Sequence, residues 1–165
     1  MTPDIGSRLN TLLSSMTAVV IPALDKDNST AVEQAQLICA SLELIAAQVD
    51  YLHPFEIVNT KSLIDLNEKI HATLGLTVCV EAKLAKTIVA NPLSSTAEVR
   101  LAGNTLRSVV VGLVESCDKQ SASDVQRLVF DYEEQQSVRD RVLVAGTNFD
   151  VDADSLPSMA AVLRI

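Results

Sequence analysis

Only two histidines occur in the 165 residues, and both stand three positions after a carboxylate: Asp50 with His53, and Glu68 with His71. Residues three apart share a helix face, and Glu-x-x-His pairs supply half the ligands of di-iron helical bundles. The remaining geometry works against a metal centre. His53 adjoins Pro54 at an expected turn, and His71 follows eighteen residues later. In an antiparallel hairpin that spacing separates the rings by roughly 15–25 Å. Glu33, Glu43, Glu98 and Glu115 fall off the apolar stripes or near helix ends, so no inward carboxylate completes a ligand set. In the competing reading His53 caps the helix before it, where a cation suits the negative dipole end. His71 then flanks an apolar stripe and pairs with Glu68 at the surface. We adopt that second reading: no metal or cofactor is expected, and Asp50, His53, Glu68 and His71 are the residues that would hold one.

Three further groupings could carry chemistry. Asp150, Asp152 and Asp154 alternate like the first ligands of a calcium loop, but the sixth and twelfth positions are Ser155 and Ala161. An EF-hand needs glycine and glutamate there, so an acidic, solvated tail is expected. The stretch 131–141 holds Asp131, Tyr132, Glu133, Glu134, Arg139, Asp140 and Arg141. Mixed charges at helical spacing make a solvated, salt-bridged face. Adjacent carboxylates such as Glu133 and Glu134 point about 100° apart on a helix and do not converge for acid–base work. If this face has a function it is contact with a polar partner, through Tyr132, Glu133 and Arg139. Finally, Cys39, Cys79 and Cys117 are odd in number, far apart and set among aliphatic neighbours. That pattern is core packing in a reducing compartment, the cytoplasm, rather than a disulfide framework. GxSxG, P-loop, GxGxxG and HExxH patterns do not occur.

These groups must be positioned by a chain that is 48% hydrophobic but only 3% aromatic, with five glycines and five prolines. The core is therefore aliphatic and turn residues are scarce, which favours helices. A formal charge of −8 argues against nucleic acid, which needs clustered cations. No run of eighteen apolar residues occurs, so no membrane span is expected.

The apolar spacing is helical in segment after segment. Ile5, Leu9, Leu12, Leu13, Met16, Val19 and Val20 form a first stripe, which Pro22 should kink or end. A second helix is expected over residues 30–53, with Thr30 and Glu33 at capping-box spacing. Ala35, Leu42 and Val49 recur there every seven residues, as do Ile38, Ile45 and Leu52. Together they make an a/d seam, with Pro54 as its end. Leu63, Leu66, Ile70 and Leu74 mark a third helix, with Gly75 as C-cap. Residues 76–90 read as a further helix or a continuation after a bend, closed by Asn91-Pro92. Ser95 and Glu98 cap the next, whose stripe runs Val99, Ala102, Leu106, Val109, Leu113 and Cys117. Val110, Val111 and Val114 broaden that stripe until the helix is apolar nearly all round, the mark of a central or oligomer-buried element. A last long helix carries Val125, Leu128, Val129, Tyr132, Val138 and Val142.

The expected architecture is an all-α, antiparallel helical bundle of four to five main helices. It forms a single domain over 1–165, with 147–165 as an acidic tail carrying a short terminal helix after Pro157. The alternative is an α/β fold with residues 76–80, 109–113 and 142–145 as buried strands. The expected function is a non-enzymatic interaction module that self-associates or takes a partner helix through Val110, Val111 and Val114. The alternative is a domain binding a metal or a small ligand, using His53 or His71 with carboxylates, or holding an apolar, lipid-like ligand within the bundle.

Overall fold

The structure, a computed structural model, describes residues 4–147 and 151–163. All regular structure among the described residues is helical, with no strand. The all-α expectation holds, and residues 109–113 and 142–144 lie inside helices rather than strands. The chain divides into two compact units, Met1–Tyr51 with Arg141–Leu156 and Leu52–Asp140 with Pro157–Ile165.

In the first unit, α1 spans Ile5–Ser15 and is capped by Asp4, whose carboxylate accepts the Ser7 amide at 2.7 Å. Pro22 has no N–H to donate, and the ladder before it widens to a π-turn over Met16–Val20. Ile21 bonds to the Met16 carbonyl five residues back, and one further turn, Ile21–Ala23, precedes an extended Leu24. The next helix, α2, is Ser29–Gln48. Its cap is Asn28, which accepts the Ala31 amide at 3.1 Å, and not the expected Thr30–Glu33 box. It also ends earlier than the apolar seam does. Pro54 sits instead in the first turn of the following helix, where its missing N–H costs nothing. A turn at residues 49–51 therefore replaces the expected run to His53. Ala35 and Cys39 are the buried residues of α2. Leu42 and Val49 are half-buried, while Ile38 and Ile45 from the other half of the seam are exposed.

The second unit holds the main core. Helix α3, Leu52–Thr73, closes on Gly75 at φ 64°, where Leu76 N–H reaches the His71 carbonyl at 2.8 Å and Gly75 N–H reaches Ala72 at 3.2 Å. These two bonds form a Schellman motif, and the left-handed residue it needs is supplied without strain by glycine. The chain then runs irregularly through residues 76–79, so α4, Val80–Ala90, is a separate helix capped at Cys79, not a continuation of α3. Helix α5, Thr96–Ser116, begins with the expected capping box. Ser95 Oγ accepts the Glu98 amide at 3.2 Å, and Glu98 Oε2 accepts the Ser95 amide at 2.7 Å. Helix α6 is Ala122–Val144, and a single short helix, α7, spans Met159–Leu163.

Helices α3, α4 and α5 pack on one another, most extensively α3 on α5. The core between them is Leu63, Leu66, Ile70, Ala82, Ala85 and Leu106, joined by Val125 and Tyr132 from α6. The buried line of α5 is Val99, Ala102, Gly103, Leu106 and Val110, so its expected stripe turns slightly and leaves Val109 and Leu113 half-buried. Burial of α3 is nearly all round: Asn59, Thr60, Asn67 and His71 are buried together with its apolar residues. Leu163 of α7 is buried as well, on α3.

Candidate functional site

The two carboxylate–histidine pairs do not meet. Asp50 is exposed in the turn after α2. His53 lies in the first turn of α3, not at the end of α2, and its Nδ1 is hydrogen-bonded to Thr96 Oγ1 at 3.1 Å. His71 is buried rather than paired with Glu68 at the surface. Its Nδ1 donates to the Asn67 carbonyl at 2.8 Å, since a carbonyl oxygen can only accept. Glu68 instead bonds Lys86 of α4, because the α3 turn carrying His71 inward leaves Glu68 at the edge facing α4. Among the described residues no three His, Cys, Asp or Glu side chains converge. Asp152 precedes a single 3₁₀ turn, Ala153–Ser155, Asp154 lies within it, and Asp150 lies outside the described residues.

The apolar candidates do converge. Val110, Val111 and Val114 of α5 and Tyr132 and Glu133 of α6 line one groove of about 300 Å³, floored by Leu63 and Leu66 of α3. Val110 is buried at its base, and Val111 stands at its lip with 50% of its surface exposed. Arg107 and Glu115 border it along α5. At the groove wall, Tyr132 is only 8% exposed, and its hydroxyl has no hydrogen-bond partner among the described residues. Burial pushes the phenol above its ordinary value of 10.0. The Arg107 guanidinium lies close enough to oppose that shift but outside hydrogen-bond geometry.

Arg139, the remaining sequence candidate, belongs to a different place. It is 8% exposed and lines a cleft of about 760 Å³ between α3, α6 and α7. Its Nε and Nη2 donate to Gln136 Oε1 at 3.2 and 2.9 Å, while Gln136 Nε2 donates to Asp140 Oδ1 at 2.8 Å. Burial lowers the guanidinium from its ordinary value, with Tyr132 and Asp140 opposing that shift. The expectation of a wholly solvated face over 131–141 is thus corrected. Gln136 and Arg139 are buried and Val138 is exposed. The signal was available in the spacing: Gln136 falls seven after Val129, and Arg139 seven after Tyr132, so both continue the inward stripe despite their polarity.

No family model matches the chain, and no curated protein or solved structure is similar to it.

Proposed function

We propose that the protein is a non-enzymatic helical interaction module that self-associates, with a second copy of the chain seated on the α5 groove. The supporting observation is the self-complementary order of Arg107, Val111 and Glu115. Spaced four apart, these residues follow one stripe of α5 along the groove: a cation, an apolar lip residue and an anion. A two-fold axis through Val111 brings two antiparallel copies of α5 together. Arg107 then meets Glu115 of the second copy, and Glu115 meets its Arg107. Closed two-fold contacts use the same patch on both subunits and require this kind of self-complementarity. Ser108 and Gly112 on the same exposed side keep the helix surface low enough for close approach, and a Cβ on Gly112 would meet open space.

The experiment is charge reversal followed by sedimentation. Wild-type chain is expected to form dimers, and Arg107→Glu and Glu115→Arg are each expected to be monomeric. Mixing the two variants restores both ion pairs in a heterodimer and is expected to recover the dimer mass. Monomeric wild type, or failure of the mixture to associate, overturns the reading. So does a monomer whose groove yields an apolar molecule on organic extraction.

A further inference from the structure

The Arg139 cleft shares no lining residue with the α5 groove. Among the described residues two cations, Lys61 and Arg139, line the cleft, and no carboxylate does, in a chain whose formal charge is −8. A guanidinium partly withdrawn from water gains more from an anionic acceptor than from a neutral one, because charge-assisted hydrogen bonds are the stronger. Here the acceptor is the neutral amide oxygen of Gln136, which takes both Nε and Nη2. Asp140 is engaged with Gln136 Nε2, and no ion pair to Arg139 forms among the described residues. The Nη1 edge of the fork has no acceptor among those residues. A planar guanidinium with an open edge is suited to carboxylate or phosphate oxygens. Ser62 adds a hydroxyl and Lys61 a mobile ammonium at the same cleft, while Val58, Val162 and Leu163 supply an apolar wall.

We infer that this cleft binds a small amphiphilic anion: a carboxylate or phosphate monoester whose oxygens lie against Arg139 and Lys61 and whose short aliphatic body lies against Val58 and Leu163. The volume of about 760 Å³ falls within the range of ligand sites that bury most of a small molecule. The inference does not depend on self-association.

Titration calorimetry on the full chain tests it, with hexanoate, butyl phosphate, inorganic phosphate and hexanol as probes. Saturable binding of hexanoate or butyl phosphate is expected, and the tighter of the two identifies the head group. Hexanol, which lacks the charge, should not bind. Lys61 is exposed, so Lys61→Glu keeps the fold and is expected to weaken binding about tenfold or more, as loss of a charge-assisted bond does. Arg139→Gln should abolish binding while its circular dichroism stays helical. If that variant unfolds, Lys61→Glu decides alone. Absence of saturable binding by both organic anions, undiminished binding by Lys61→Glu, or inorganic phosphate binding as tightly as butyl phosphate would overturn the inference.

Discussion

Thr60 of α3 packs directly against Gly103 of α5: a Cβ on Gly103 would stand 2.9 Å from Thr60 Oγ1. The same hydroxyl donates to the Val99 carbonyl at 3.2 Å, one turn earlier on α5. Thr60 is fully buried, so its oxygen cannot swing into solvent to make room. The contact leaves no room for a larger residue than glycine at position 103.

Gly103→Ala is therefore expected to destabilise the protein, against the ordinary gain of alanine over glycine in a helix. Overpacking of this kind costs about 1–3 kcal/mol. Thr60→Ala removes the obstructing oxygen, and the double variant should lose less than the two single variants combined, giving a coupling of about 0.5 kcal/mol or more. Urea unfolding of the four proteins measures this. Strict additivity would show that the Thr60 hydroxyl does not hold the helices at this distance.

Tyr132→Phe should behave in the opposite way. The hydroxyl is buried and lacks a partner among the described residues, so it contributes desolvation cost without a compensating bond. The ring stays in the core and only the oxygen is removed. Stability is expected to be unchanged or to rise by up to about 1 kcal/mol. In the wild type, absorbance titration should show one of the two tyrosines ionising above the ordinary phenol value. A clear loss of stability in Tyr132→Phe would mean that a bound group in solution meets the hydroxyl.

These two sites also mark where the sequence was legible and where it was not. Local rules were readable: Gly75 as a left-handed cap and the Ser95–Glu98 box. Each depends on residues within two turns of one another. The burial of Asn59, Thr60, Asn67 and His71 depends on α3 being enclosed by both α4 and α5, which no spacing within α3 reveals. Gln136 and Arg139 keep the inward period of α6 while changing chemistry, so a reading that weighs residue type over position sends them to the surface. Pro54 shows a third kind of ambiguity. A proline at the junction of two helices serves as an end for one or a beginning for the other, and the chain uses it as a beginning.

The caps make stability pH-dependent in a defined direction. Glu98 is held below its ordinary value of 4.5 by the Ser95 amide and hydroxyl, and Asp4 and Asp118 are held below 3.8 by Ser7 and Ser121. A carboxylate with a depressed folded pKa stabilises the fold above its unfolded value, and that contribution fades as pH falls through the folded one. Glu98→Gln should thus lower the urea midpoint at neutral pH. The gap to wild type should narrow as pH drops below 4.5 and close once pH is under the lowered folded value, where the wild-type carboxylate is also neutral. A gap that stays constant with pH would mean that the charge on Glu98 has no part in the cap.

The two units should differ sharply in local stability. In α1 no residue is buried, and in α2 only Ala35 and Cys39 are. Ile5, Leu12, Val19, Leu37, Ile38 and Ile45 leave large apolar surfaces in water. In the second unit Leu63, Ile70, Val99, Leu106 and Val125 are essentially inaccessible. Opening a helix costs roughly the apolar burial it gives up, so amides of α1 and α2 should exchange with solvent at lower free energies than those of α3 and α5. The same contrast applies to truncation. Ile70→Ala should cost about 2–5 kcal/mol, as deletion of a buried isoleucine does, while Ile38→Ala should cost well under 1 kcal/mol. Hydrogen exchange at two protein concentrations sharpens the test. If further copies of the chain cover Ile38 and Ile45, protection in α2 must rise with concentration, because association stabilises only the bound form. Uniform protection across both units at low concentration would show that α1 and α2 draw stability from something other than their buried area.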